Sequence, residues 1–329
     1  MGPDARVACP LKLSVVIPVY NEAAHIGTTI AEVVDAAARS PFDVEVIAVD
    51  DGSNDGTSVI AAEAGARVIR QANRGRLEAR RAGLTAAQGD YVLFLDARVS
   101  IERDALAFVA ENLSLGDVWN GHAITATAGN PYGLFWDVVS RLAFARYLDA
   151  PETMSFGLDD FDAFPKGTTC FFAPRQLLLD GFEAVQTRYA DPRHANDDTP
   201  LIRWIAGRRR IWISPRFACL YRPRSSLRGF VRHAFHRGIV FVDGHGRRDS
   251  RYLPAVIAFY PVSAALIGLT VWWPPTVPVA AALVVLLAGL AAARKHVPAA
   301  HVLSFSLLAP VYAVSHGVGM WRALALRRR

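Results

Sequence analysis

The chain has 329 residues, 52% of them hydrophobic, and a formal net charge of +6. The length allows one large domain or two ordinary ones, and apolar residues concentrated after residue 252 argue against a wholly soluble protein and for a membrane part. The positive charge is mostly arginine, clustered at 203–251 and at the last three positions. Next to an apolar region such a cluster points to an anionic membrane surface or to phosphate ligands, and no nucleic-acid-binding motif accompanies it. The cysteines, Cys9, Cys170 and Cys219, are odd in number and form no CxxC pair. That argues against a disulfide framework and a structural zinc site and fits a reducing, cytoplasmic catalytic part.

Residues 1–10 read as a loose tail without the extended apolar stretch of a secretory signal. A short apolar run, Leu13 to Val19, closes in Tyr20-Asn21-Glu22 and predicts a buried strand. A helical pattern near 23–38 follows, then a second strand at 44–50 ending in Asp50 and Asp51. The turn-rich segment 51–57 leads to a helix over 57–64, with Asp55 or Thr57 as its cap. Ala66 to Arg70 predicts a third strand, Asn73-Arg74-Gly75 a turn, and 76–88 a helix stopped by Gly89. Tyr91 to Leu95 is a fully apolar strand that ends in Asp96-Ala97-Arg98. Strands alternating with helices predict an α/β fold with a mostly parallel sheet.

From 117 to 165 the pattern weakens. Residues 132–149 have amphipathic spacing and read as a core-packing helix or a membrane-surface helix; 151–165 reads as a loop. Residues 167–182 predict strand, turn and helix. Asp197-Asp198 opens a helix, TPLIRWIAG, capped by Asp198 or Thr199 with Pro200 in its first turn, and the strand IWISP follows. His233, His236 and Arg237 lie one turn apart on a basic helix. It reads either as a membrane-surface helix that holds a phosphate or as a solvated juxtamembrane helix. Three apolar segments close the chain: 252–273, 276–293 and 297–320. The positive-inside rule makes the first two a hairpin with both basic ends in the cytoplasm. The third, interrupted by His301, Pro310 and His316, either spans and puts Arg327-Arg328-Arg329 outside, or is re-entrant or interfacial.

Three strands deliver polar residues at their carboxyl ends, where a parallel α/β sheet binds ligand. The motifs IPVYNE, VDDGSNDGT, the NRG turn, GDYVLFLDA, GTTCFFAPRQLLLDGF and NDDTPLIRWIAG together resemble the family 2 inverting glycosyltransferases of GT-A fold, over most of residues 13–215. YRPRSSLRGFVRHAFHRG is similar to a region of membrane-attached members that build exopolysaccharide repeat units of the succinoglycan type.

The resemblance implies roles by position. Pro18, Tyr20 and Glu22 would line the base and ribose, Asp51 would contact base or ribose while Asp50 is structural, and Arg74 and Arg76 would face the diphosphate. Asp96 takes the first position of the family's DxD motif, Asp198 the position of the catalytic base, and Asp197 would orient it or contact the acceptor. The last DxD carboxylate, which in the family holds Mg²⁺ or Mn²⁺, is here Arg98. An arginine cannot ligate a metal, but its fork suits a phosphate. Three readings follow: Arg98 replaces the metal's charge, Asp96 still holds a metal with phosphate oxygens and waters, or the protein is inactive.

The resulting expectation is a GT-A catalytic domain over 1–221, a basic juxtamembrane region over 222–251 and a membrane region over 252–329, with two transmembrane helices and a third segment spanning or re-entrant. The chain would be a multi-pass protein of the cell membrane with its catalytic domain in the cytoplasm. It would move a sugar from a nucleotide-diphosphate sugar to a lipid-linked acceptor in cell-envelope or exopolysaccharide synthesis. The alternatives are transfer to a polyprenyl phosphate and a catalytically degenerate scaffold or partner subunit. The QxxRW string of processive synthases is absent.

Overall fold

The computed structural model describes residues 11–248 and 250–326; the expected N-terminal tail with Cys9, and the terminal Arg327-Arg328-Arg329, lie outside the described residues. The chain begins with β1 (Lys12–Val19), α1 (Ile26–Ala38), β2 (Asp43–Asp50), α2 (Thr57–Glu63), β3 (Arg67–Arg70), α3 (Arg76–Ala86) and β4 (Tyr91–Leu95). Alternation along β1 sends Val15, Ile17 and Val19 to one face, against Ile26, Ile30 and Val33 of α1. Val16 points to the other face, with Val49, Phe94 and the α3 residues Ala79 and Leu84. Burying each such aliphatic or aromatic side chain contributes about 1.5–3 kcal/mol, and this two-sided burial is why β1 reads as continuous hydrophobic sequence.

The second half contains β5 (Val99–Ile101), α4 (Ala105–Glu111), β6 (Trp119–Thr125), α5 (Pro131–Ala143), α6 (Ala145–Leu148), β7 (Met154–Phe156), β8 (Cys170–Pro174), α7 (Arg175–Ala184), α8 (Thr199–Ala206) and β9 (Ile211–Tyr221). Among the described residues these strands make one nine-stranded sheet in the order β3-β2-β1-β4-β8-β6-β9-β5, with β7 on β9. The first four are parallel. β8 runs antiparallel to β4 and β6, and β6 runs parallel to β9. The sheet is therefore parallel where the strand-end motifs lie and mixed beyond them.

Several sequence expectations need correction. The loop expected over 151–165 contains β7 and a single 3₁₀ turn at Phe161–Ala163. β5, α4 and β6 were not expected. β6 carries Asn120, Gly121 and His122, and Gly121 packs where a Cβ would lie 2.7 Å from Cys170 Sγ, so backbone pairing rather than an apolar run makes it a strand. The strand at 211 continues to Tyr221. Gly56, not Asp55 or Thr57, occupies the N-cap of α2, and the Thr57 hydroxyl instead accepts the Glu22 N–H at 2.9 Å. The amphipathic stretch from 132 breaks at Phe144 into α5 and α6, and α5 is a packing helix.

The carboxyl-terminal part comprises α9 (Leu227–His245), α10 (Leu253–Trp272), α11 (Thr276–Ala293) and α12 (Ala299–Leu326). The last three are long and apolar enough to cross a membrane. α10 and α11 expose Val262, Leu266, Val271, Trp272, Val279, Leu283 and Leu286, a surface that water would not stabilise. α9 is no solvated helix. It buries Phe230, Ala234, Ile239 and Val242 and meets α12 where Gly238 and Gly319 let the two backbones touch. The Phe135 ring of α5 meets Phe230 edge-on at 5.0 Å and lies tilted against Phe305 at 5.1 Å, joining α5, α9 and α12 in one aromatic cluster.

Candidate active site

The carboxyl ends of β1, β2 and β4 open onto a cavity of about 490 Å³. Its opposite wall is α9, through Arg232, His233, Phe235, His236 and Ile239. Pro18, Tyr20 and Glu22 line it from β1, with Tyr20 49% exposed and its ring available to stack on a base. Asn21 turns the chain at φ 53°, and the loop is clipped to the next by Asn21 N–H on Ser53 Oγ at 2.9 Å and Asn54 N–H on Asn21 Oδ1 at 3.0 Å.

Asp50 and Asp51 divide the work at the end of β2. Asp50 is fully buried and accepts from Ser53 N–H at 2.8 Å and from the Ser58 hydroxyl. Burial pushes its pKa up, but these hydrogen bonds and the nearby Arg70 outweigh burial and hold it below the ordinary carboxylate value. Asp51 lines the cavity and accepts from Gln71 Nε2 at 2.7 Å and from the backbone N–H of Arg74 and Gly75, each at 2.8 Å. The carboxylate thereby shapes the NRG turn. Gly75 (φ 91°) has no substitute there, because a Cβ would lie 2.6 Å from Arg193 Cα. The turn sends Arg76 into the cavity lining, but not Arg74, whose exposed guanidinium lies 3.8 Å from Glu78. Arg74 is thus not brought together with the other expected donor residues.

Asp96, Ala97 and Arg98 line the cavity from the end of β4. The turn is fixed by Asp96 N–H on Thr169 O at 3.0 Å, Thr29 Oγ1 on Ala97 O at 2.9 Å and Arg222 N–H on Arg98 O at 3.0 Å. Arg98 Nε donates to Glu22 Oε1 at 2.8 Å, and Arg224 approaches the same oxygen at 3.8 Å. Asp96 is held by a residue that the motifs did not single out. Arg80 of α3, 1% exposed, donates from Nη2 to Asp96 Oδ1 at 2.6 Å and from Nη1 to Asp197 Oδ2. The signal was present in the sequence: Arg80 shares a helix face with Gly83, Leu84 and Ala87, where a charge requires a buried partner.

Asp197 and Asp198 sit just beyond the cavity lining, after Ala195. Asp197 is buried and also faces Arg76 at 3.5 Å. Asp198 caps α8: its Oδ1 accepts from Thr199 N–H and from the Thr199 hydroxyl at 2.9 Å. Its Oδ2 makes no hydrogen bond among the described residues and faces Gly167, where a Cβ would stand 3.6 Å away. Two further residues escaped sequence reasoning. Asn196 Oδ1 accepts from Asp198 N–H at 3.2 Å, and Asp243 of α9, fully buried, accepts from Asn196 N–H at 2.8 Å. An aspartate beside Ile239 and Val242 on the buried face of α9 was the available clue.

The electrostatics of the cavity are cationic. Arg76, Arg98, Arg193, Arg224 and Arg232 line it against Glu22, Asp51 and Asp96, whose carboxylates already hold partners. His233 and His236 add no charge. Burial, then neighbouring cations, lowers both, His236 to about 3, so they are neutral hydrogen-bonding groups near pH 7. The residues present fit a divalent cation poorly. Of the DAR triplet only Asp96 can ligate, its oxygens already accept from Arg80 and, at 3.2 Å, from Thr169, and no group of three or more His, Cys, Asp or Glu able to hold a metal occurs among the described residues.

This sheet edge is similar to that of known proteins. Residues 14–118, which hold the parallel half of the sheet, match the family model described as "Glycosyl transferase family 2". The chain is similar to an undecaprenyl-phosphate 4-deoxy-4-formamido-L-arabinose transferase of Aeromonas hydrophila, 39% identical over 92 residues that make up 26% of this chain and 28% of that protein. It is also similar to a dodecaprenyl-phosphate galacturonate synthase of Rhizobium johnstonii, 33% identical over 109 residues, 31% of this chain and 32% of that one. The matches thus span about a third or less of these relatives. The solved mannosyltransferase PcManGT of Pyrobaculum calidifontis superposes with a TM-score of 0.53 at 19% identity, covering 94% of this chain and 88% of that one. That likeness is one of fold, and the fold is the expected GT-A type with apolar helices at the carboxyl end.

Proposed function

We propose that the chain is an inverting glycosyltransferase of the membrane surface. It moves a sugar from a nucleotide-diphosphate sugar to a lipid-linked acceptor in cell-envelope or exopolysaccharide glycan synthesis. The observation that carries this reading is the shared wall of the cavity: one side is the sheet edge, and the other is α9, itself packed on the apolar helix α12. A site built between a nucleotide-binding edge and a membrane helix suits a soluble donor and an acceptor confined to the bilayer.

The acceptor hydroxyl oxygen forms a bond to the anomeric carbon, the bond from that carbon to the diphosphate oxygen breaks, and the nucleoside diphosphate leaves with the electron pair. The hydroxyl proton goes to Asp198 Oδ2, the carboxylate oxygen left without a hydrogen bond among the described residues. Asp243 of α9 holds the Asn196 N–H, and Asn196 Oδ1 in turn holds the Asp198 N–H, which fixes the segment that bears the carboxylate. Tyr20 offers its ring to the base, and arginines at the β4 and α3 ends face the charge of the leaving group.

In the membrane, α10 and α11 form a hairpin whose two basic ends stay with the catalytic domain on the cytoplasmic side. Lys295, just after α11, supports this through its ion pair with Asp149 at 2.9 Å. α12 lies along the domain rather than leaving it. Near its start Ser304 Oγ donates to Pro131 O, its middle packs on α9, and at its end Leu326 O accepts from Ala190 N–H at 3.4 Å. A helix of 28 residues is about 42 Å long, so a spanning α12 would carry one end far from the domain. Its exposed Leu303, Leu307, Val314, Val318 and Trp321 recur at helical spacing, the stripe of an in-plane helix. This favours the interfacial alternative for the third segment.

A second reading is transfer straight to a polyprenyl phosphate. It is favoured by the position of Asp198 outside the cavity lining, because an ionised phosphate needs no base. Supplying the purified chain with nucleotide sugars and, in parallel, polyprenyl-diphosphate-linked sugars, polyprenyl phosphate and soluble saccharides separates the readings. Transfer only to soluble saccharides contradicts both lipid readings. Nucleotide binding without any turnover indicates a degenerate scaffold.

A further inference from the structure

We propose that the donor's diphosphate is bound without a divalent cation, by a guanidinium clamp centred on Arg98 and completed by Arg76 and Arg224, with Asp96 retained as the internal counter-ion of Arg80. The inference rests on the nucleotide-sugar reading above and specifies how that donor's charge is met.

Asp96 does not offer a free ligand. Its Oδ1 is 2.6 Å from Arg80 Nη2 and its Oδ2 accepts from the Thr169 hydroxyl at 3.2 Å. Arg80 is 1% exposed and cannot turn to solvent, so withdrawing Asp96 towards a metal leaves a buried guanidinium short of one partner. Asp197, the other carboxylate nearby, is committed to the same arginine and to Arg76. A cation arriving here meets one shared carboxylate and the positive charge of Arg80 beside it.

Arg98 has the opposite character. Only its Nε is used, on Glu22, and its two Nη groups make no hydrogen bond among the described residues. Glu22 thereby fixes the plane of the guanidinium and leaves the fork that pairs with phosphate oxygens. Its Oε2 is buried without a partner, so the carboxylate acts through Oε1, which faces both Arg98 and Arg224. Arg76 lines the same cavity from the start of α3. The two oxygens of Asp51 are bound to backbone and amide donors, which leaves few unpaired negative charges to oppose a diphosphate.

The test is calorimetry on the full chain in detergent with uridine, guanosine, thymidine, cytidine and adenosine diphosphates, each with Mn²⁺ and with a chelator. The expected result is that at least one binds in chelator within about threefold of its affinity in Mn²⁺. Arg98→Ala should then weaken binding about tenfold or more in both conditions, the scale of one charge-assisted contact. Arg98→Lys keeps the charge beside Glu22 but loses the fork, and should also weaken binding; a melting temperature near wild type shows that the fold survives. Asp96→Asn should leave the ratio between the two conditions unchanged. Binding that needs Mn²⁺ overturns the clamp while leaving the nucleotide-sugar reading in place. Unaltered affinity in both Arg98 variants also overturns it. Absence of binding by all five nucleotides in either condition overturns the donor reading and the clamp with it.

Discussion

Arg80 on α3 and Asp96 at the end of β4 meet at 2.6 Å beneath the cavity floor, and the same guanidinium holds Asp197. One buried cation thus ties the strand-end motif to the segment that bears the candidate base. Removing one member of a buried ionic group costs about 3–5 kcal/mol, because the others stay buried and unpaired. Arg80→Met is therefore expected to lower thermal stability sharply, by that order. Arg80→Lys should recover only part, since an ammonium cannot span both carboxylates as a planar fork does. Thermal unfolding of the detergent-purified variants checks this, and a melting point near wild type for Arg80→Met would count against the network.

Asp198 caps α8 through Oδ1, and in the proposed mechanism its Oδ2 takes the acceptor proton. Asn still caps a helix, so Asp198→Asn is expected to leave the melting point nearly unchanged. Transfer to a hydroxyl acceptor should nevertheless fall about 10²–10⁴-fold with loss of the base. Initial rates with a sugar acceptor and with a polyprenyl phosphate separate the two chemistries: full activity on the phosphate alone would assign Asp198 to capping.

The histidines of α9 give a pH dependence of known sign. Burial, reinforced by neighbouring cations, puts His236 at about 3 and His233 well below its ordinary 6.5, and burial puts His245 at about 4 against the opposing pull of Asp162. Above about pH 6.5 these imidazoles are neutral in folded and unfolded chains alike. Below it the unfolded chain takes up protons that the folded chain refuses, so stability falls as pH drops towards about 4 and levels only beneath the folded-state values. The expected loss is up to ~1.4 kcal/mol per pH unit for each fully shifted histidine. Melting temperatures between about pH 7 and about pH 5 should decline, and His236→Gln should decline less steeply.

A reporter fused after the last residue tests the placement of α12. With α10 and α11 as a hairpin and α12 in the membrane plane, the carboxyl end stays with the catalytic domain. A reporter active only in the cytoplasm should then work and one active only outside should not. The reverse pattern would make α12 a third span.

Much of this arrangement was legible in the chain itself. The three strand-end motifs announced themselves because a parallel strand buried on both faces is a continuous apolar run, and its polar terminus stands out against it. Asp198 was legible as a cap through Thr199-Pro200. What was hidden depended on partners far away in sequence. β6 is a strand through pairing with β8 and β9, so Trp119 to Thr125 carries no strong period of its own. Arg80 and Asp243 looked like ordinary helical charges until their partners, 16 and 47 residues distant, closed on them. Hydropathy alone marks α12 as long and apolar enough to span, and composition is blind to Gly238 and Gly319, where the helix meets α9.

The central claim is tested most directly by reconstituting the full chain in vesicles that contain polyprenyl-linked acceptors and supplying sugar-labelled nucleotide sugars one at a time. The account expects at least one of them to move label into the lipid-extractable fraction, with one nucleoside diphosphate released per sugar transferred. Label that never enters lipid from any donor, while a soluble saccharide in the same vesicles is glycosylated, would contradict it.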